Sequence, residues 1–191
     1  MSTGMSTGMS TDTINEEPLV LFLKKIAAKQ PDRSRIVFLC IGSDRSTGDS
    51  YGPIVGSMLR QRGWEHVIGT LQQPCDAYAV EGALQSAVPE ATVIAIDACL
   101  GKQKSVGQYV LSDGPLQPGA ATGRRLPAAG DYSIAAIVNM NGPKAYWMLQ
   151  STSLYHVIQM AKHTVQAIES AWPVAGSANP LSGPIEALSR I

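Results

Sequence analysis

An apolar run leads directly into a polar loop near position 41, and this junction limits the folds open to the chain. Residues 36–40 read Ile-Val-Phe-Leu-Cys, and residues 41–53 read IGSDRSTGDSYGP. A strand this apolar is typical of a parallel sheet covered on both faces. Pro53 suits the first turn of a following helix. Ligands of open α/β sheets bind beyond the carboxyl ends of strands, so the loop is the first candidate site.

Helical and strand patterns alternate along most of the chain. The spacing of apolar residues predicts helices over residues 18–29, 52–62, 76–87 and 144–171. Apolar and β-branched runs predict strands over residues 35–40, 67–71, 92–97, 108–111 and 134–139. This order predicts a three-layer α/β/α domain with a mainly parallel sheet. Right-handed crossovers would give the strand order second, first, third.

Composition and charge restrict the class of protein and its partners. The chain has 191 residues, of which 45% are hydrophobic and 16% charged, as expected of one globular domain. Its net charge is zero, which predicts no nucleic-acid or membrane partner. We expect a disordered leader over residues 1–16, the domain over 17–172, and a loosely ordered tail over 173–191. The three cysteines are odd in number and lie near apolar runs, which favours free thiols in the cytoplasm.

Three aspartates are the candidate chemistry of this sheet edge. Asp97 closes the predicted third strand, while Asp44 and Asp49 lie in the loop after the first. Converging carboxylates divide acid and base roles, because repulsion between them raises one pKa. They can also bind a divalent metal, in which case Asp49 and Asp97 would be the ligands. From position alone, Asp49 is equally well explained as a helix cap. For Asp97 the alternative, an acceptor for loop amides, is the weaker explanation, whereas Asp44 is more often a turn residue than a site residue.

Two segments carry a family resemblance. IGSDRSTGDSYGP and AIDACLG together resemble the YyaC-type sporulation proteins, which are relatives of the spore germination protease and, more distantly, of the hydrogenase maturation proteases. Residues 47–53 are similar to the germination protease segment in which a Thr-Pro-Asp run leads into Leu-Gly-Pro, and its proposed catalytic aspartate falls on Asp49. The second proposed catalytic aspartate, within an Ile-Asp-Ala stretch, falls on Asp97. Ser112-Asp113, followed by Pro118-Gly119, resembles a shorter form of the protease's Ser-Asp and Pro-Gly loop.

The resemblance implies hydrolysis of a peptide or small protein substrate during spore development, in the forespore or mother cell. Asp49 and Asp97 would then be the catalytic pair. Asp44, Arg45 and Asp113 are expected to position the substrate. Ser46, Thr47 and Gly48 are expected to position the substrate or its oxyanion through their backbone amides. The maturation proteases add a nickel-binding histidine, but none of His66, His156 and His163 follows the predicted third strand. We therefore predict no cofactor, with a divalent metal as the alternative.

Two other functions fit the same residues. The chain is short beside the germination protease, so a non-catalytic module that binds a peptide or a metal is one alternative. A metal-dependent hydrolase of a small substrate is the other. The oligomeric state stays open. The peptidase hypothesis makes a geometric prediction: Asp49 and Asp97 lie within direct or water-bridged reach, without a lysine or arginine between them, and titrate as a coupled pair.

Overall fold

The computed structural model describes residues 17–76, 79–80, 82, 90–117 and 128–173. In these ranges the helices are α1 (Glu17–Lys29), α2 (Tyr51–Gln61), α3 (Ala145–Gln150) and α4 (Leu154–Ala171). The strands are β1 (Ile36–Cys40), β2 (Val67–Ile68), β3 (Thr92–Gly101), β4 (Tyr109–Ser112) and β5 (Tyr132–Met140). The predicted leader, almost all of the predicted tail, the loop at Pro118-Gly119 and most of the helix predicted over 76–87 lie outside the described residues.

The described strands form one sheet in the order β2-β1-β3-β5-β4. Neighbouring strands are parallel except for β4, which runs antiparallel to β5. The predicted order of second, first and third strands is therefore confirmed, as is a mainly parallel sheet flanked by helices. Every residue of β1 is buried, because β1 is central and covered on both faces. No helix in the described ranges is long and apolar enough to cross a bilayer.

Side chains alternate between two apolar clusters on the two faces of β1. Phe38 and Cys40 join the larger cluster, to which α1, α2 and α4 contribute their buried faces. Leu39 and Ile41 join the smaller cluster on the other face, together with Cys75, Val80, Ala95 and Ala129. Ala95 belongs to this second face, so the alternation along β3 turns Asp97 toward the same side.

The third strand is longer than predicted. We expected it to end at Asp97, but β3 continues to Gly101 because β5 pairs alongside it, from Asp97 opposite Ala135 to Gly101 opposite Met140. Of the residues Ala-Cys-Leu-Gly that follow Asp97, alanine and glycine are poor strand formers, and the whole segment pairs with β5. Asp97 nevertheless lies at the sheet edge predicted for it. The chain leaves β1 just beyond Cys40, whose partner on β3 is Ile96.

The long helix predicted over residues 144–171 is two helices. The break falls at the Ser-Thr-Ser sequence of residues 151–153. Thr152 donates its hydroxyl to the Met148 carbonyl at 2.9 Å, within the last turn of α3. Ser153 has extended backbone, and its side chain caps α4 by accepting from the His156 amide. Hydroxyl side chains compete with helix hydrogen bonds in this way, so the apolar periodicity alone hid the break.

Gly52 lets α2 begin directly against the end of β1, where a Cβ atom would lie 2.1 Å from the Ile41 carbonyl oxygen. We expect Gly52→Ala to lower the free energy of unfolding by about 3 kcal/mol or more, because neither backbone segment can yield cheaply. Gly63→Ala is the matched control. Gly63 has φ +78° but no atom within 4 Å of the added methyl, so strain alone should cost about 1 kcal/mol. Urea unfolding measures both, and equal losses would contradict the expected backbone collision.

Candidate functional site

The loop between β1 and α2 is fixed by backbone hydrogen bonds on several sides. The Gly42 amide donates to the Cys75 carbonyl at 3.0 Å, and the Ser43 amide donates to the Asp49 carbonyl at 3.2 Å. The Gly48 amide donates to the Leu149 carbonyl at the end of α3, at 2.8 Å. These contacts set the position of Asp49 relative to the sheet.

Gly48 therefore holds the loop and does not present its amide to a substrate. A Cβ atom at this position would lie 2.9 Å from the Leu149 carbonyl oxygen, so the close approach to α3 requires glycine. This corrects the prediction that the Gly48 amide positions an oxyanion. The prediction failed because α3 was expected to run on into α4, which would have used the Leu149 carbonyl within the helix.

Asp49 is not the cap of α2. The cap position belongs to Ser50, and even its hydroxyl is directed to the Thr47 carbonyl, to which it donates at 2.7 Å. Burial raises the pKa of Asp49 above its ordinary value. A hydrogen bond from the Ser43 amide lowers the pKa of Asp49, the charge of Asp76 raises it, and the Arg45 guanidinium lowers it. The carboxylate is thus left for another role than capping.

Asp97 is the most perturbed carboxyl described at this edge. Burial is the largest cause and, with the negative charge of Asp49, raises the pKa of Asp97 to about 7. The Ala98 amide donates to its Oδ1 at 2.7 Å and offsets part of this rise in pKa. In the described ranges no lysine or arginine forms an ion pair with Asp97 or Asp49. The two carboxylates therefore interact with each other without a cation paired to either of them.

The other predicted residues of the loop differ in their exposure. Asp44 and Arg45 are exposed, and Arg45 donates from its amide and its Nε to Ser43 Oγ, both at 3.2 Å. Ser46 is buried, and its Oγ has no hydrogen-bond partner in the part of the chain that the structure describes. Thr47, which follows Ser46, is half-buried.

Asp113 does not join this group. It follows β4, which runs antiparallel to β5, and Ser112 pairs with Ser133 near the amino end of β5. Its carboxylate pairs with Lys25 of α1, and this hydrogen bond lowers the pKa of Asp113. The antiparallel direction of β4 carries Asp113 toward the opposite edge of the sheet. A motif resemblance alone could not reveal that reversal.

Of two further residues near the carboxylates, only Asp76 was not considered from the sequence as part of the site. Asp76 lies 3.8 Å from Arg45, and its charge raises the pKa of Asp49. It follows Cys75, and the bridge between Cys75 and Ile41 brings it beside the loop after β1. Cys99 lies two residues beyond Asp97. Burial and the Asp97 charge raise the pKa of the Cys99 thiol to about 11, so it stays protonated at neutral pH and is a poor nucleophile.

The described side chains offer little to a metal ion. Within those ranges no group of three histidine, cysteine, aspartate or glutamate side chains is arranged to hold one. His66 lies 3.9 Å from Glu65, while His156 and His163 lie on α4.

The chain is similar to known proteins over most of its length. Residues 9–167 match the family described as "Protein of unknown function (DUF1256)". The chain is 45% identical over 144 residues to "Uncharacterized protein YyaC" of Bacillus subtilis (strain 168), which covers 73% of this chain and 68% of the relative. It is also similar to the solved structure of the [NiFe] hydrogenase maturation protease HybD from Thermococcus kodakarensis. That similarity has a TM-score of 0.48 and 14% identity, over 72% of this chain and 99% of HybD. The family match and the identity to the Bacillus protein establish that this chain belongs to the DUF1256 family.

Proposed function

We propose that the chain hydrolyses a peptide bond in a protein substrate, using Asp49 and Asp97 as an acid–base pair. The observation that carries the proposal is the perturbed pKa of Asp97, raised to about 7 by burial and by the charge of Asp49. A carboxyl group with this pKa keeps its proton in a large fraction of molecules at neutral pH. Paired carboxyl groups whose pKa values are driven apart supply one acid and one base.

In the proposed reaction the two carboxyl groups have separate roles. Protonated Asp97 donates a hydrogen bond and then its proton to the carbonyl oxygen of the scissile bond. Ionised Asp49 takes a proton from a water molecule, whose oxygen attacks the carbonyl carbon. The tetrahedral intermediate collapses when Asp49 gives that proton to the leaving nitrogen and Asp97 recovers its own from the hydroxyl group. The products are a new carboxyl terminus and a new amino terminus.

The substrate class draws on the resemblance to sporulation proteins. We propose a protein made during spore development as the substrate, bound at the loop formed by Asp44, Arg45, Ser46 and Thr47. The exposed Arg45 guanidinium is suited to a substrate carboxylate or carbonyl.

The hydrolysis is tested with proteins extracted from sporulating Bacillus subtilis, incubated with the full chain in water enriched in ¹⁸O. Direct attack by water places one ¹⁸O atom in each new carboxyl terminus, which mass spectrometry of the fragments detects. We expect labelled termini with the wild type and none with Asp49→Asn combined with Asp97→Asn. Cleavage that survives the double substitution, or the absence of any new terminus, would contradict the proposal.

Ser46 offers a further prediction, because a buried hydroxyl without a partner destabilises the fold that contains it. In the described part of the chain Ser46 Oγ has no such partner. We expect Ser46→Ala to leave the free energy of unfolding unchanged or raise it by up to about 1 kcal/mol, and to leave cleavage close to the wild-type rate, because the buried hydroxyl is out of reach of a substrate. Thermal unfolding and the cleavage assay measure the two effects. A destabilised protein would contradict an unpartnered hydroxyl, and slowed cleavage would contradict its separation from the substrate.

A further inference from the structure

A cleft of about 610 Å³ lies beside β2, outside the carboxylate site. Its walls are the carboxyl-terminal part of α2, the strand β2, and the segment that follows β2 as far as Ala79. This volume falls within the range of roughly 300–1,000 Å³ that is usual for ligand-binding clefts.

Among the residues that the structure describes, the lining carries one charged group, a guanidinium. Three primary amides line it, from Gln61, Gln72 and Gln73, and apolar contacts come from Ile68 and Pro74. The guanidinium group belongs to Arg60, which donates to the Val67 carbonyl at 3.1 Å. A primary amide offers a donor and an acceptor together, which is also what a peptide group offers. The three amides therefore match a ligand with regularly spaced donors and acceptors, such as a peptide backbone.

The position of the cleft favours an extended ligand. Strand β2 is the outer strand of the described sheet, so its outer edge has no strand partner there. Extended peptides bind to such edges with their backbone, while pockets beside the edge take alternate side chains. Because β2 has only two residues and Arg60 donates to the Val67 carbonyl, the glutamine side chains are the main hydrogen-bonding groups left for a ligand.

One wall of the cleft continues into the carboxylate site. Cys75 lines the cleft, pairs with Ile41, and accepts a hydrogen bond from Gly42 at 3.0 Å. The next residue, Asp76, lies beside Arg45 and acts on the pKa of Asp49. The end of the cleft at Cys75 is thus one residue from Asp76, whose charge raises the pKa of Asp49.

We propose that this cleft binds an extended stretch of polypeptide through its backbone and leads it toward Asp49 and Asp97. The inference takes its ligand class from the proposed function and deepens it, since it names where the substrate is held away from the scissile bond. The glutamine side chains supply the recognition, so binding depends little on the sequence of the ligand.

The probe is an acetylated decapeptide of alternating threonine and alanine with a fluorescein group on a carboxyl-terminal lysine. The protein is the full chain carrying Asp97→Asn, so that binding is measured without cleavage. We expect Gln72→Glu together with Gln73→Glu to weaken binding at least tenfold, because two donors to peptide carbonyls become acceptors. Gln103→Glu, an exposed position outside the cleft, is the matched control and should leave binding unchanged. A probe N-methylated at every second residue should also bind at least tenfold more weakly.

Backbone NMR locates the bound probe. Shift changes concentrated at residues 67–75 support the proposal. It is overturned if the probe does not bind at millimolar concentration, if the N-methylated probe binds equally well, or if the changes centre on the exposed aromatic residues Tyr146, Trp147 and Tyr155. These outcomes are separable from the proposed chemistry. If the probe binds in the cleft but no substrate is cleaved, the proposed function fails and the cleft proposal stands. If substrates are cleaved but the cleft variants bind the probe normally, the cleft proposal fails and the proposed function stands.

Discussion

Replacement of Asp97 by asparagine is expected to slow peptide cleavage at least a hundredfold, and Asp49→Asn should have an effect of similar size. Asparagine keeps the shape of the side chain but can neither deliver nor accept the proton, and acid–base groups contribute about 10²–10⁴ in rate. The double variant should be hardly slower than either single variant, since the two groups act as a unit. Rates are measured under single-turnover conditions on the cleaved substrate.

Asp113→Asn is the control for these variants. Asp113 was predicted to bind substrate, but it pairs with Lys25 toward the other edge of the sheet, so its rate should stay close to that of the wild type. A loss comparable to that of Asp97→Asn would contradict the position of Asp113 away from the two carboxylates.

The wild-type rate should also fall as pH rises above about 7, because Asp97 then loses the proton that it donates.

The second large effect is the pH dependence of stability that Asp97 causes. Its sign is opposite to that of an aspartate whose pKa is lowered on folding. The pKa of Asp97 rises from 3.8 to about 7 on folding, so the folded chain holds a proton that the unfolded chain has lost between these values. The contribution of Asp97 to the free energy of unfolding should therefore be most favourable below pH 4. It should become less favourable as pH rises from about 4 to about 7. The shift corresponds to on the order of 4 kcal/mol, taken as an upper limit.

Asp97→Asn should remove this dependence and leave the variant more stable than the wild type at pH 8. Urea unfolding at pH 4, 5.5, 7 and 8 gives the difference between the two proteins at each pH. Asp113→Asn tests the sign. The pKa of Asp113 is lowered by Lys25, so its contribution is present above the unfolded pKa and is lost as pH falls. A wild-type advantage over Asp97→Asn that grows from pH 4 to pH 8 would contradict the burial of Asp97 as an acid.

Local sequence predicted those features that local physics decides. The two most apolar short runs, at residues 36–40 and 93–96, became adjacent central strands because strands covered on both faces need apolar residues throughout. Once these strands are neighbours, the right-handed crossover brings the loop after β1 and Asp97 to the same edge. The strand order followed from the sequence for this reason.

The features that were missed depend on partners far away in the chain. The extension of β3 beyond Asp97 rests on its pairing with β5. The use of the Gly48 amide rests on the end of α3, about a hundred residues later, and the place of Asp113 rests on the direction of β4. Asp76 was predicted only as the start of a helix, where its Oδ1 does accept from the Ala79 amide at 3.3 Å, and nothing in its own neighbourhood shows that Cys75 bridges Ile41. Tertiary pairing decided each of these positions, and apolar periodicity does not record it.

The most direct measurement is an NMR titration of the aspartate side-chain carboxyl carbons in the wild type and in Asp49→Asn. The Asp97 resonance in the wild type should titrate with a pKa near 7. In Asp49→Asn its pKa should be lower, because the negative charge that disfavours ionisation of Asp97 is gone. An Asp97 pKa near the ordinary value of 3.8 that does not move when Asp49 is replaced would contradict a coupled carboxyl pair at this site.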